Sequence, residues 1–165
     1  MFLITGSSEE HLLKDKMKKL KFSPPDYALI FVIFEIVLYF IFPIIKFLYF
    51  PFTLFGILFI ILGAILNYKA YKYFKHSKIK MSFDEVPPKL ITFEIFRLSR
   101  NPIYLGILFI LLGEAVLFGV LSAFSIPIIF FILINNITIP IEEKNLEKRF
   151  GKKYINYKEK VRRWI

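Results

Sequence analysis

Cysteine is missing altogether, which excludes a disulfide scaffold, a thiolate zinc site and a cysteine nucleophile. Histidine is nearly missing: His11 and His76 are too few for a histidine-rich metal centre, so no metal is expected. Charge is scarce, at 22% of 165 residues, and it is segregated. It crowds into residues 9–26, 69–100 and 142–165 and leaves almost none between. A hydrophobic content of 56% excludes a disordered polymer, and the segregation argues against a nucleic-acid module despite a net charge of +10. There is no repeat with a period of roughly 20–50 residues and no low-complexity tract. Residues 1–26 are polar and lysine-rich, and the apolar run after them is longer than a signal-peptide core, so no secretory signal is expected.

What is present is hydrocarbon in long runs. A helix needs about 20 apolar residues to cross a hydrocarbon core of roughly 30 Å. Four segments come close: Tyr27–Ile45 with the single charge Glu35, uncharged Phe52–Tyr68, Ile103–Val120 with the single charge Glu114, and uncharged Ser122–Ile141, which carries Pro127, Pro140 and the pair Asn135-Asn136. Backbone amides in lipid must be bonded within their own segment, so these are expected to be helices. The predicted fold class is an all-α polytopic membrane protein of about four transmembrane helices plus a C-terminal amphipathic helix. Its single membrane domain, 27–165, would follow a cytoplasmic tail, 1–26. The spans are expected near 27–45, 52–68, 103–120 and 122–141, with a cytoplasmic link over 69–102 and a cytoplasmic helix over 142–165.

Lysine and arginine set the expected orientation. The tail carries five, the first turn one (Lys46), the central link eight, the last turn none and the C-terminal segment nine. That alternation requires four spans with both ends in the cytoplasm. The expected partner for the positive charge is therefore the anionic lipid bilayer and not nucleic acid. Within the link, Asn67–Lys80 reads as a lysine-rich continuation of the second span, and Asp84-Glu85-Val86-Pro87-Pro88 as a turn that no helix can continue.

Two clusters carry the chemistry. The first is Arg100-Asn101-Pro102-Ile103-Tyr104-Leu105-Gly106, where Pro102 suits a first helical turn, Asn101 a cap, Tyr104 an interfacial anchor and Gly106 close packing. The second is Glu142-Glu143 followed by Leu146, Phe150-Gly151, Tyr154, Tyr157, Val161 and Arg162-Arg163-Trp164. Its apolar and aromatic members recur every three or four residues, the mark of one helix face, as on an amphipathic helix lying on lipid. Such a helix leaves the two carboxylates unexplained, because acids facing an anionic bilayer need a cation. By topology the third span starts and the fourth ends on one side, which predicts a pocket lined by Arg100, Asn101, Tyr104, Glu142 and Glu143.

Together the two clusters resemble the integral-membrane methyltransferases, the isoprenylcysteine carboxyl methyltransferases and their phospholipid-methyltransferase relatives. The pattern Arg-His/Asn-Pro-x-Tyr-x-Gly, then Glu-Glu-x-x-Leu-x-x-x-Phe-Gly-x-x-Tyr-x-x-Tyr about 40 residues on, is matched over roughly residues 80–165. The resemblance implies S-adenosylmethionine held at the cytoplasmic ends of the last two spans. It carries the cofactor contacts to Asn101, Pro102, Ile103, Tyr104 and Glu142, and to an upstream stretch near Pro88-Lys89-Leu90-Ile91 with Phe96. With the pocket residues Arg100 and Glu143 these complete the expected cofactor set; no catalytic residue is assigned. Asn101 replaces the commoner histidine and removes a titrating group, and Phe96 stands where relatives often have tyrosine.

The methyl acceptor is expected to be lipophilic: an isoprenylcysteine-type carboxylate, or another lipid or isoprenoid. A carboxylate acceptor needs no general base, whereas an amine would have to lose a proton. The isoprenylcysteine enzymes place an arginine shortly before the acidic pair, and here that region reads Asn135-Asn136-Ile137-Thr138-Ile139. Asn135, Asn136 and Thr138 are the candidate substrate contacts, with interhelical hydrogen bonding an equal explanation. Glu35 and Glu114, mid-span, are either functional or protonated acids hydrogen-bonded to a neighbouring helix. Two other functions stay open on the sequence: a small transporter or channel subunit using Glu35 and Glu114, and a non-enzymatic scaffold that docks on lipid.

Overall fold

A computed structural model describes residues 24–76 and 89–165, with side chains described over 26–75 and 89–165. The tail as far as residue 23, the link lysines Lys78 and Lys80, Pro88 and the Asp84–Pro88 turn lie outside the described residues. Helices α1 (Pro24–Ile41), α2 (Phe55–His76), α3 (Pro102–Phe118), α4 (Ser125–Leu133), α5 (Ile139–Phe150) and α6 (Lys152–Lys160) follow in order. Among the described residues there is no strand, and Lys46 and Val120 form an isolated bridge. By length and composition the helical stretches Phe52–Lys75 and Leu121–Phe150 are able to cross a membrane, and Pro102–Phe118 is apolar but shorter.

Each expected span falls on a helix, and the differences in its bounds have local causes. The first ends at Ile41, not Ile45, because Pro43 brings no amide hydrogen to continue it. The second runs on through the lysine-rich turn to His76. The third stops at Phe118, where Gly119 takes φ +68° and its N–H closes on the Ala115 carbonyl at 3.0 Å. Beyond Pro43 the chain pairs with that end: Phe47 N–H donates to the Gly119 carbonyl and Leu121 N–H to that of Ile44, both at 3.0 Å.

The largest departure lies at the expected fourth span. A break was expected between a span ending at 141 and a surface helix over 142–165; instead α4 passes through a π-helical turn, Ile134–Thr138, straight into α5. The chain breaks ten residues later at Gly151, whose φ +52°, ψ −129° is a conformation side-chain-bearing residues avoid. A Cβ there would meet nothing within 4 Å, so conformation and not space demands the glycine. α6 follows, and from Val161 onward the chain is non-helical. The single helix expected over 142–165 is therefore two helices and a non-helical tail.

α3 sits at the centre, against α1, α2 and α4. Its crossing with antiparallel α2 depends on paired glycines. A Cβ on Gly56 would strike the Gly113 carbonyl, and one on Gly63 the Gly106 carbonyl. The lack of side chains lets the backbones touch, as between lipid-embedded helices where apolar transfer drives nothing. On its other side α3 buries Tyr104, Ile107 and Leu111 against Ile126, Phe130, Ile134 and Ile139. Phe31 of α1 stands edge-on to Phe130 at 5.2 Å. Large apolar side chains such as Leu29, Phe34, Phe40, Phe55, Leu58 and Ile61 remain exposed along α1 and α2, the surface expected of helices solvated by lipid.

Candidate functional site at the starts of α3 and α5

Pro102 opens α3 at its first turn, as expected. Asn101 does not act as the expected cap: its side chain makes no capping bond, and its amide Nδ2 donates to the Arg163 carbonyl at 3.0 Å. The preceding residues are bound the same way. Ser99, fully buried, accepts the Asn101 N–H on Oγ and donates that hydroxyl to the Arg163 carbonyl, each at 3.1 Å. Arg100 N–H donates to the Arg162 carbonyl at 3.0 Å. The loop that leads into α3 is thus sewn to the tail after α6.

Glu142 and Glu143 are neighbours on a helix, about 100° apart around its axis, and they face different partners. Tyr104, 4% exposed, donates its hydroxyl to Glu142 Oε1 at 2.7 Å across 38 residues of sequence. Glu142 itself stays half-buried. Glu143, 6% exposed, is the anion of a cationic cluster. Arg100 Nη1 lies 3.0 Å from its Oε1, Arg163 grips both its oxygens through Nε at 3.2 Å and Nη2 at 2.9 Å, and Lys158 stands 3.7 Å away. The expected pocket residues Arg100, Asn101, Tyr104, Glu142 and Glu143 do converge. Glu143 and Asn101, though, spend their polar groups on the protein, whereas half-buried Glu142 stands outside the cationic cluster.

The π turn explains how the tail is held. In a π turn each carbonyl looks five residues ahead for its donor, and Ile139 N–H does bond the Ile134 carbonyl. The next carbonyl, that of Asn135, looks to Pro140, which has no N–H. Arg163 Nη1 supplies the donor instead, at 3.3 Å, and also meets Asn135 Oδ1 at 3.1 Å. Trp164 Nε1 donates to the same Oδ1 at 3.1 Å, its ring 5.1 Å from that of Phe131. Among the expected substrate residues, then, Asn135 is engaged by the tail. Asn136 is exposed and accepts from Asn135 Nδ2 at 3.1 Å. Half-buried Thr138 is joined to neither by a side-chain hydrogen bond among the described residues.

Upstream, Lys89 is exposed, Leu90 half-buried and Ile91 buried, and no ion pair or hydrogen bond ties Lys89 to the cluster among the described residues. Phe96 is buried with its ring against Tyr73 and Phe74 of α2. Its backbone carbonyl accepts the Tyr157 hydroxyl at 2.6 Å, which seats α6 against this segment and not on an open surface. Burial first, and then the Glu143 charge, push the Tyr154 phenol up to about 12, so it remains a neutral donor at physiological pH. Arg163, Trp164 and Ser99 carried no role in the sequence; the one signal that could have pointed to Arg163 is Pro140, whose carbonyl partner needs a donor from elsewhere.

Further along the bundle, Glu35 is fully buried. Neither carboxyl oxygen of Glu35 is hydrogen-bonded among the described residues, so the expected interhelical hydrogen bond is not made. Asn67 Oδ1 is likewise buried without a partner, beside Gly106.

A family model described as "Phospholipid methyltransferase" matches residues 52–153. A protein of Haemophilus influenzae described as uncharacterized is 45% identical over 62 residues, which are 38% of this chain and 98% of that one. No solved structure matches.

Proposed function

The chain belongs to the phospholipid methyltransferase family, and from that premise we propose that it is an integral-membrane enzyme moving a methyl group from S-adenosylmethionine to a lipophilic acceptor. The observation that carries this reading is the Tyr104–Glu142 hydrogen bond at 2.7 Å, which joins the two clusters into one site. In the proposed topology the four helical spans place both chain ends, and this site, in the cytoplasm. The charge alternation of the sequence supports that orientation.

The residues present suit the cofactor. Glu142 offers a carboxylate able to accept from ribose hydroxyls or an ammonium, a charge-assisted contact. Arg100 keeps a buried Nε–H without a hydrogen-bond partner among the described residues, a donor suited to a carboxylate. When bound, S-adenosylmethionine supplies a methyl group on a sulfonium that is already primed to leave. The protein's own work is then positional: Tyr104 fixes the Glu142 carboxylate, and the α3 start fixes Tyr104, so that the acceptor meets the methyl carbon in line. The apolar surroundings of Tyr104 exclude water, which favours transfer to an anion by leaving it poorly solvated. The acceptor reaches this point sideways from the bilayer, between helices whose outer faces are hydrocarbon.

Equilibrium binding to the purified protein in lipid-supplemented detergent tests the cofactor. Glu142→Gln is expected to weaken S-adenosylmethionine roughly ten- to a hundredfold, and Tyr104→Phe about three- to tenfold. A wild-type protein that binds none under any lipid condition refutes the proposal. Transfer of labelled methyl from the donor into a total lipid extract then identifies the acceptor.

A further inference from the structure

We propose that Arg163 is a positioning residue for the S-adenosylmethionine site, acting as the replacement donor for the carbonyl that Pro140 leaves open. The inference rests on the methyltransferase reading and adds to it a part of the chain outside both clusters' expected contacts.

The Arg163 guanidinium has three nitrogens, and all three are used: Nε and Nη2 on the two oxygens of Glu143 and Nη1 on the backbone and side-chain oxygens of Asn135. Its own backbone carbonyl accepts from Ser99 Oγ and Asn101 Nδ2. One residue therefore connects three places: the loop before α3, the π turn of the fourth span, and the acid next to Glu142. A planar fork can do this and an ammonium cannot, because the two directions of the fork are fixed relative to each other.

The consequence is geometric. Tyr104 is placed by the start of α3, and Glu142 by the helix that leaves the π turn. These two elements come from different spans, and the distance between them sets whether the two side chains present one surface to a ligand. Arg163 spans that gap from beneath, through the neighbouring acid and the orphaned carbonyl, without touching Glu142 or Tyr104 by any bond described above. Pro140 creates the vacancy that orients the fork. The two residues should consequently be coupled, although the chain separates them by more than twenty positions.

The test is a double-mutant cycle read by binding of S-adenosylmethionine and of its demethylated product, S-adenosylhomocysteine, with thermal unfolding measured in parallel. Arg163→Lys keeps a cation beside Glu143 but gives up the fork. It is expected to weaken both ligands about tenfold, the size of one lost charged hydrogen bond. Pro140→Ala returns an N–H to the π turn, so the Asn135 carbonyl regains a backbone donor. In that background Arg163→Lys is expected to cost less than about threefold, by the same accounting. Full-strength binding by Arg163→Lys overturns the proposal, and so does an equal loss in both backgrounds. A fall in unfolding temperature that tracks the affinity loss and is not relieved by Pro140→Ala also overturns it, since that is the behaviour of a merely structural contact. In each of these cases the wild type still binds and the methyltransferase reading stands; a wild type that binds neither ligand removes both.

Discussion

The adjacent acids Glu142 and Glu143 in the first turns of α5 should respond oppositely to loss of charge. Glu143→Gln keeps the shape but removes the anion that Arg100, Arg163 and Lys158 share. The cost depends on how dry each cation is. The Arg100 side chain is 9% exposed, whereas those of Arg163 and Lys158 are 29% and 39% exposed, so water compensates the latter two in large part. Removing one partner of a buried pair costs about 3–5 kcal/mol. With one deeply buried guanidinium stranded, the expected loss is at the lower end, about 3 kcal/mol. Glu142→Gln strands no such cluster and still offers Tyr104 an amide oxygen, so its stability should change by less than about 1 kcal/mol. Ligand affinity should divide the other way, with Glu142→Gln the more damaged of the two when each is assayed where it is fully folded. Equilibrium unfolding in mixed micelles, paired with S-adenosylmethionine binding, reads both quantities. A stable Glu143→Gln protein that has lost the ligand, beside a destabilised Glu142→Gln protein that keeps it, would refute the assignment of roles.

Two further substitutions test the scaffold. Gly63→Ala places a methyl against the Gly106 carbonyl, and over-packing of this kind should cost about 1–3 kcal/mol in the same unfolding assay; a neutral result would mean that α2 and α3 do not touch there. Gly151→Ala meets no neighbour, so any cost must come from its backbone conformation, about 1–3 kcal/mol. Unchanged stability would show that the helix does not break at that residue in solution.

The meeting of the two clusters was legible because each obeys local rules. Pro102 suits a first helical turn, and the spacing of the apolar runs predicts that the start of α3 and that of α5 meet. The pairing of Tyr104 with Glu142 follows from that topology. The roles of Asn101 and Glu143 were not legible. An asparagine before a proline has the composition of a cap, and only the presence of the Arg163 carbonyl diverts its amide elsewhere. The break at Gly151 was hidden by a stripe of apolar residues that continues in phase on both sides of it, since periodicity reports a face and not whether the helix carrying that face is continuous. Asn135 looked equally suited to substrate and to a neighbouring helix, and its partner turned out to be an arginine 28 positions away.

The sequence by itself determined the helical class, the approximate positions of the apolar runs and the residues that make up the two clusters, because hydrocarbon length, proline and the excess of basic residues act over a turn or two of chain. Only the tertiary structure decided which of those polar groups are already occupied. Hydrogen-bond capacity is finite, and the donors that consume it arrive from distant segments: a tail folding back after α6, a fork of nitrogens aimed at a carbonyl that proline left open. Composition lists the groups, but contact alone assigns them.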